Sequence, residues 1–240
     1  MSTVVIIPTY NERNNIENLI KQILKLYSDI NILVVDSCSP DGTGRVVEGI
    51  GQEFTNVHII NQQKKLGLAL AFQEGFRWAL EKNFDYIVQM DGDFSHNPKD
   101  ISDLVKAAEK QGLCIGSRYI PRGQIVDWVA RRKILSYIGN IYVRFLLGLP
   151  VKDCTSGFRC FRKDVLAAID LDAIKSTGYL FQIEIVNYCI RAGVDIIEVP
   201  IVFTQRKKGY SKLGVREVAE AIVGVFKLMF CPRRAIRTKS

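Results

Sequence analysis

Four short β-branched runs set the architecture of this chain: TVVIIPT (3–9), NILVVDS (31–37), VHIIN (57–61) and DYIVQMD (85–91). Continuous apolar runs of this length suit strands buried on both faces. Helical patterns over 13–27, 41–53 and 67–82 separate them. In the first, Ile16, Leu19, Ile20, Ile23 and Leu24 recur at the spacing of one buried helical face. Strands alternating with helices imply βαβ units and a mostly parallel sheet with helices on its faces. Ligands of such sheets bind beyond the carboxyl ends of the strands. Residues 8–12, 36–41 and 91–95 fall at those ends. At 240 residues the chain is long enough for one substantial core.

After residue 113 the pattern changes. LCIGSRY reads as a strand running into a loop, 128–147 as a helix or helix pair, CTSGFRCFRKDVL as a turn-rich stretch, 179–191 as a helix and DIIEVPIVF as one further strand. There is no internal repeat and no low-complexity segment. The expected division is a 1–214 domain, with 1–117 meeting the first substrate and 118–214 the second, followed by an amphipathic helix and basic tail over 215–240.

Charge narrows the partners. The 33 Lys and Arg against 25 Asp and Glu leave a net charge of +8, which favours an anionic ligand, whether nucleic acid, membrane surface or phosphorylated small molecule. No nucleic-acid-binding motif is present, and none is expected to bind. The six cysteines form no C-x-x-C pair and have no histidine at ligand spacing, which argues against zinc and against a disulfide framework. MSTVVIIPTYNE has no basic region before its apolar run and reads as no signal peptide. The segments 134–149 and 215–230 are interrupted by charges and fall short of the roughly 20 apolar residues of a spanning helix.

The sharpest local feature is DGDFSHNP (91–98), two aspartates one residue apart where an apolar run ends. Like charges this close repel unless a cation or hydrogen bonds compensate. Turn chemistry is the plain alternative. A calcium-binding helix–loop–helix motif fails, because His96 stands where glycine is required and Ser102 where glutamate is. No phosphate-binding G-x-x-x-x-G-K-[ST] loop occurs, and GTGRVVEG lacks the third glycine of a dinucleotide fingerprint. What remains is an oxygen-ligand pair suited to Mg²⁺ or Mn²⁺, which complete their shells with water and substrate phosphates. His96, beside Asn97-Pro98, is read as shaping the turn.

In order along the chain stand IIPTYNE, VVDSCSPDGT, KKLGLALAFQEGF, the aspartate pair, IGSRY, SGFRCFRK, GYLFQIEIV, EVPIVF and RKKGYSKLG. Together they resemble the family 2 glycosyltransferases of GT-A fold, and among them the dolichyl-phosphate mannosyltransferases of the short form without membrane spans. The resemblance implies an α/β, Rossmann-like single body with amphipathic helices near the acceptor side. It implies that Pro8, Tyr10, Glu12, Val35, Asp36 and Ser37 border the nucleotide. Asp91, Gly92, Asp93 and Ser95 would carry the metal against the diphosphate. Arg118, Arg132, Ser136, Arg206 and Lys212 would gather round the phosphates. The donor implied is GDP-mannose and the acceptor dolichyl or polyprenyl phosphate, at the cytosolic face of a membrane, the endoplasmic reticulum in a eukaryote, with small transmembrane partner subunits in some relatives. Ser37 departs from the pattern, which carries a second acid there. That leaves a UDP-sugar donor open, as it leaves a non-catalytic binding homologue.

The chemistry implied needs no general base. An acceptor phosphate monoester has its second pKa near 6 and is largely dianionic at neutral pH. Help is needed by the departing diphosphate, whose developing charge a divalent metal and fixed cations stabilise. Direct attack from the opposite face predicts inversion. For the lipid, 128–149 mixes Trp128, Ile134, Leu135, Ile138, Tyr142 and Phe145 with basic residues, a composition expected at a headgroup boundary. In 215–230, Val215, Val218, Ile222, Phe226 and Met229 are expected on one side.

Overall fold

The structure, a computed structural model, describes residues 1–205 and 223–230. The first half follows the strand–helix alternation: β1 (Thr3–Thr9), α1 (Arg13–Leu26), β2 (Asn31–Asp36), α2 (Thr43–Glu53), β3 (Val57–Asn61), α3 (Leu68–Glu81) and β4 (Tyr86–Gln89). Then come α4 (Ile101–Gln111), β5 (Leu113–Ser117), β6 (Gln124–Val126), α5 (Ala130–Leu147), β7 (Arg159–Arg162), α6 (Lys163–Ala167), α7 (Gly178–Arg191), β8 (Ile196–Pro200) and β9 (Val202–Thr204). The main sheet runs β3-β2-β1-β4-β7-β5-β8, and β6 pairs with β9 in a small parallel sheet.

Strand alternation divides the core between the two faces. Val5 and Ile7 of β1 pack under α1, α2 and α4 with Ile16, Leu19, Val47 and Leu104. Val4 and Ile6 pack under α3 and α7 with Phe72, Phe76 and Phe181. Gly75 lets α3 lie against β1, since a Cβ there would stand 2.6 Å from Ile6 Cγ2. The result is a mostly parallel mixed sheet flanked by helices, in a single α/β body.

Three expectations are corrected. The stretch read as turn-rich contains β7, which lies antiparallel between β4 and β5 in the middle of the sheet. Arg159, in that strand, is wholly buried. Its guanidinium donates to the carbonyls of Gln182 and Cys154 at 2.8 Å each, and burial pushes its pKa down to about 10, so it keeps its charge at neutral pH. A charged residue inside a strand conceals the apolar signal that periodicity relies on. DIIEVPIVF is not one strand but two, because the chain leaves the main sheet after Pro200 and pairs Val202–Thr204 with β6.

The third correction concerns the amphipathic faces. Residues 223–229 are helical, but Phe226 and Met229 are exposed while Val225 and Leu228 enter the core beside α7. Val215, Val218 and Ile222 lie outside the described residues. Trp128 is buried, 8% exposed, and Tyr142 packs against the core. Along α5 the exposed apolar side chains are instead Ile134, Leu135, Tyr137, Ile138, Ile141 and Phe145.

Candidate active site

Parallel pairing aligns the ends of three strands. Thr9 of β1 stands opposite Asp36 of β2, and Ile6 of β1 opposite Gln89 of β4. From β1 the chain steps outward to β2 and β3, then returns to β4 on the other side of β1. The crevice at the β1 and β4 ends is therefore where strand order reverses, the place ligands occupy in open α/β sheets. Each loop at this edge carries a non-glycine residue in the left-handed region: Asn11 (φ 62°), Cys38 (φ 57°) and Phe94 (φ 62°). Such strain clusters at functional sites.

Asp36 organises the β1–β2 side. Its carboxylate accepts the Thr9 hydroxyl at 2.8 Å, the Ser39 hydroxyl at 2.6 Å and the Ser39 N–H at 2.8 Å. Beside it opens a cavity of about 670 Å³, lined among others by Arg13, Asp36, Cys38, Glu48, Asn61 and Gln62. Ser37 is buried, and its hydroxyl donates to Gln62 Oε1 at 2.9 Å. Gln62 in turn donates to Glu74 at 2.8 Å. Pro8 is buried at the end of β1, and Val35 points into the core beneath α3, offering the crevice no side chain. Tyr10 stands at the surface with Lys65 Nζ 3.5 Å over its ring. Glu12 caps the start of α1 and accepts Asn15 Nδ2 at 2.7 Å.

The aspartate pair lies at the β4 end. Asp93 is buried and accepts the Ser95 N–H at 3.0 Å. The Asp91 side chain keeps 30% of its surface. Gly157 of the 153–158 loop lies beside it, where even a Cβ would make only an ordinary contact with Asp91 Oδ2 at 3.4 Å. Gly92 likewise rests on Ile7 and Thr9. Beneath the pair, His96 is wholly buried, its ring stacked on Phe158 at 4.8 Å and edge-on to Phe203 at 5.5 Å. Its Nδ1 accepts the Asp91 N–H at 3.2 Å. Its Nε2 has no hydrogen-bond partner among the described residues and stands 3.9 Å from Asp91 Oδ2. Burial pushes the imidazole down to about 4, so it is neutral at physiological pH.

Two carboxylates on one tight turn suit a hard divalent cation that takes its remaining oxygens from water and substrate. Among the described residues no group of three or more His, Cys, Asp and Glu side chains is arranged as a metal site. The donor set therefore fits a cation shared with a diphosphate rather than one caged by protein. Asp91 and Asp93 are the residues that would hold it, with Ser95, buried beside them, completing the turn.

The cationic side is built on Trp128. Arg132 Cζ lies 3.7 Å from its ring centroid and Arg118 Cζ 5.9 Å, within cation–π reach. Ser136, one turn on in α5, accepts the Tyr119 hydroxyl at 2.7 Å. The structure thus brings Arg118, Arg132 and Ser136 together. Arg118 is nevertheless buried and already forked onto Asp153, through Nε at 2.7 Å and Nη2 at 2.6 Å. Beside this group a second cavity of about 340 Å³, lined by Tyr119, Ile125, Lys133, Ile134 and Tyr137 among others, opens toward the exposed face of α5. Arg206 and Lys212 lie outside the described residues.

The fold is that of a GT-A-like α/β body. The sequence pattern of Glycosyl transferase family 2 matches residues 4–170. The chain belongs to that family and is a glycosyltransferase. It is 42% identical over 225 residues to the undecaprenyl-phosphate mannosyltransferase of Micrococcus luteus, covering 94% of this chain and 93% of that one. The polyprenol monophosphomannose synthase of Mycolicibacterium smegmatis is likewise 42% identical over 225 residues, covering 93% and 85%. Among solved structures, glucosyl-3-phosphoglycerate synthase from Mycobacterium tuberculosis, in complex with Mn²⁺, UDP and glucosyl-3-phosphoglycerate, superposes with a TM-score of 0.68 at 18% identity, over 96% of this chain and 81% of that one. The mannosyltransferase PcManGT from Pyrobaculum calidifontis, in complex with GDP-mannose and Mn²⁺, gives 0.58 at 19% identity, over 87% and 58%.

Sequence reasoning missed Asp153 and read His96 as turn chemistry. Nothing local marks Asp153 as the partner of Arg118, since the two are 35 residues apart. The single available signal for His96 was its place directly after the aspartate turn.

Proposed function

We propose that the protein transfers mannose from GDP-mannose to a dolichyl or other polyprenyl phosphate, with inversion at the anomeric carbon. One arrangement supports the reading: Phe203 touches both His96, beneath the Asp91–Asp93 pair, and Trp128, on which Arg118 and Arg132 stack. The relatives' names support the mannosyl and polyprenyl terms. Mn²⁺ in the complexes of structural neighbours supports a divalent metal, Mg²⁺ or Mn²⁺.

In the reaction an acceptor phosphate oxygen forms a bond to the anomeric carbon while the bond from that carbon to the nucleotide diphosphate breaks. The acceptor oxygen carries no proton at neutral pH, so no side chain has to remove one. Asp91 and Asp93 would bind a divalent cation, which when present stabilises charge on the departing diphosphate. Arg132 brings the second anion in, and Trp128 fixes its guanidinium plane. Arg118 contributes its charge from a locked position, since Asp153 occupies its fork.

The test is transfer of radiolabelled sugar to polyprenyl phosphate in detergent from GDP-mannose, UDP-glucose and UDP-N-acetylglucosamine, each with and without Mg²⁺ or Mn²⁺. Label from GDP-mannose alone, dependent on metal, is expected. Label from a UDP-sugar would overturn the donor and favour the second reading, which Ser37 motivates. Absence of label from every donor would overturn the transfer itself and return the binding homologue.

No helix among the described residues is long and apolar enough to cross a membrane. The exposed side of α5 carries Phe145 at 86%, Ile134 at 58% and Ile138 at 56% exposure, close to Arg131 and Lys133. We infer that this face meets the surface of an anionic lipid bilayer. Ile138→Glu with Phe145→Glu is expected to lower co-sedimentation with vesicles and to slow transfer to vesicle-embedded acceptor about tenfold or more, since each buried apolar side chain contributes about 1.5–3 kcal/mol. Transfer to a short-chain soluble acceptor should stay within about twofold of the parent. Undiminished vesicle binding by the double variant would assign the face to a protein partner.

A further inference from the structure

We propose that His96 is a positioning residue for the metal-binding carboxylate, its Nε2–H donating to Asp91 when that side chain turns to a divalent cation. The inference rests on the metal role assigned above to Asp91 and Asp93. It concerns a residue outside that pair.

Geometry sets the tautomer. Nδ1 accepts the Asp91 N–H at 3.2 Å and so carries no proton, which places the ring proton on Nε2. That nitrogen is buried, finds no acceptor among the described residues, and stands 3.9 Å from Asp91 Oδ2, too far for a hydrogen bond. A buried donor left unsatisfied is costly. The ring cannot turn away to relieve it, because Phe158 stacks on it at 4.8 Å with planes 12° apart and Phe203 closes it edge-on. Phe203 belongs to β9, and the Ser95 carbonyl accepts the Thr204 N–H of the same strand at 3.2 Å, so the small sheet clamps the turn from outside. The imidazole is thus held in place, whereas the Asp91 side chain keeps 30% of its surface.

A shift of about an ångström in the Asp91 carboxylate would bring Oδ2 within hydrogen-bond reach of Nε2. Cation binding and satisfaction of the buried donor would then favour the same carboxylate position. Outer partners of this kind orient a ligand and commonly change metal affinity 10–100-fold when removed.

Two variants separate this role from packing, because both lose the stacked ring. His96→Asn can still accept the Asp91 N–H near the Nδ1 position but has nothing at the Nε2 position. His96→Gln reaches the far position with its amide N–H and gives up the near acceptor. Mn²⁺ binding to the full chain without nucleotide, followed by electron paramagnetic resonance, is the readout, with metal-free thermal melting recorded beside it. The expected result is a dissociation constant about tenfold or more higher in the asparagine variant, substantially recovered by glutamine, at equal metal-free melting temperatures. Equal Mn²⁺ affinity in the parent and both variants would overturn the inference while leaving the metal pair intact. Loss of affinity in both variants in step with melting temperature would reduce His96 to packing and overturn it too. A parent that binds no Mn²⁺ would overturn the metal pair itself, and the role of His96 with it.

Discussion

Replacing Asp91 with alanine is expected to lower metal-dependent transfer by about a thousandfold or more while leaving the melting temperature within about 2 °C of the parent or above it. The activity loss follows from the donor count. Under the proposed metal role the cation would have two carboxylates, and among the described residues no group of three or more His, Cys, Asp and Glu side chains is arranged as a metal site. The stability forecast follows from charge and burial. Asp91 and Asp93 sit one residue apart, and in the metal-free protein their like charges repel. The Asp91 side chain retains 30% exposure, and its N–H bond to His96 comes from the backbone, which alanine keeps. Asp93→Ala should behave differently. That carboxylate is buried and accepts the Ser95 N–H, so its loss is expected to cost about 1 kcal/mol of stability as well as activity. Transfer at saturating Mn²⁺ and thermal melting of both variants check the pair. Full activity in Asp91→Ala would remove the metal role from this turn.

Much of the first half of the molecule was legible because a single physical signal governed it. β1, β2 and β4 are buried on both faces, so their runs are almost wholly apolar, while β3 is a part-buried edge strand, and α1 to α3 expose one side to water, so their periodicity is plain. That alternation is enough to align the carboxyl ends of β1, β2 and β4 along one edge. The second half resisted for a different reason. β7 runs through the centre of the sheet as Arg-Cys-Phe-Arg, and Arg159 is satisfied by carbonyls of α7 and of the 153–158 loop that sequence does not place beside it. A strand whose polar residue is neutralised by distant partners cannot be read from its own composition. Trp128 shows the converse. Beside exposed apolar residues it reads as membrane-facing, yet two arginines and Phe203 enclose it. The site was legible as a set of ends of strands, and its tertiary pairings, Arg118 with Asp153 and His96 with Asp91, were not.

Loss of the Arg118 guanidinium should show the largest effect on stability. Asp153 is wholly buried, and burial alone would raise its pKa. The Arg118 charge and the hydrogen bonds from its side chain and backbone outweigh that and hold the carboxyl below the ordinary value. Removing one partner of a buried pair typically costs about 3–5 kcal/mol, because the other is left charged without compensation. Arg118→Met is therefore expected to melt many degrees below the parent at pH 7.5. The sign with pH separates this from a simple packing loss. In the parent, the depressed carboxyl stabilises the fold above its unfolded pKa and loses that contribution as pH falls through the folded one. In Arg118→Met, burial acts on Asp153 with only Arg159 and the residue 118 N–H left to oppose it, so the folded pKa is expected to rise above the unfolded value and protonation to relieve the fold. The deficit against the parent should narrow as pH is lowered from 7.5 toward 5. Pairing Arg118→Met with Asp153→Leu removes the stranded charge and should recover most of the stability, since apolar replacement of a buried pair is often neutral or better. It should not recover transfer, because one of the two positive charges beside Trp128 is gone and Arg132 alone remains. A double variant that regains both would make Arg118 purely structural. One that regains stability alone leaves the guanidinium both as the anchor of the 153–158 loop and as a fixed cation of the crevice.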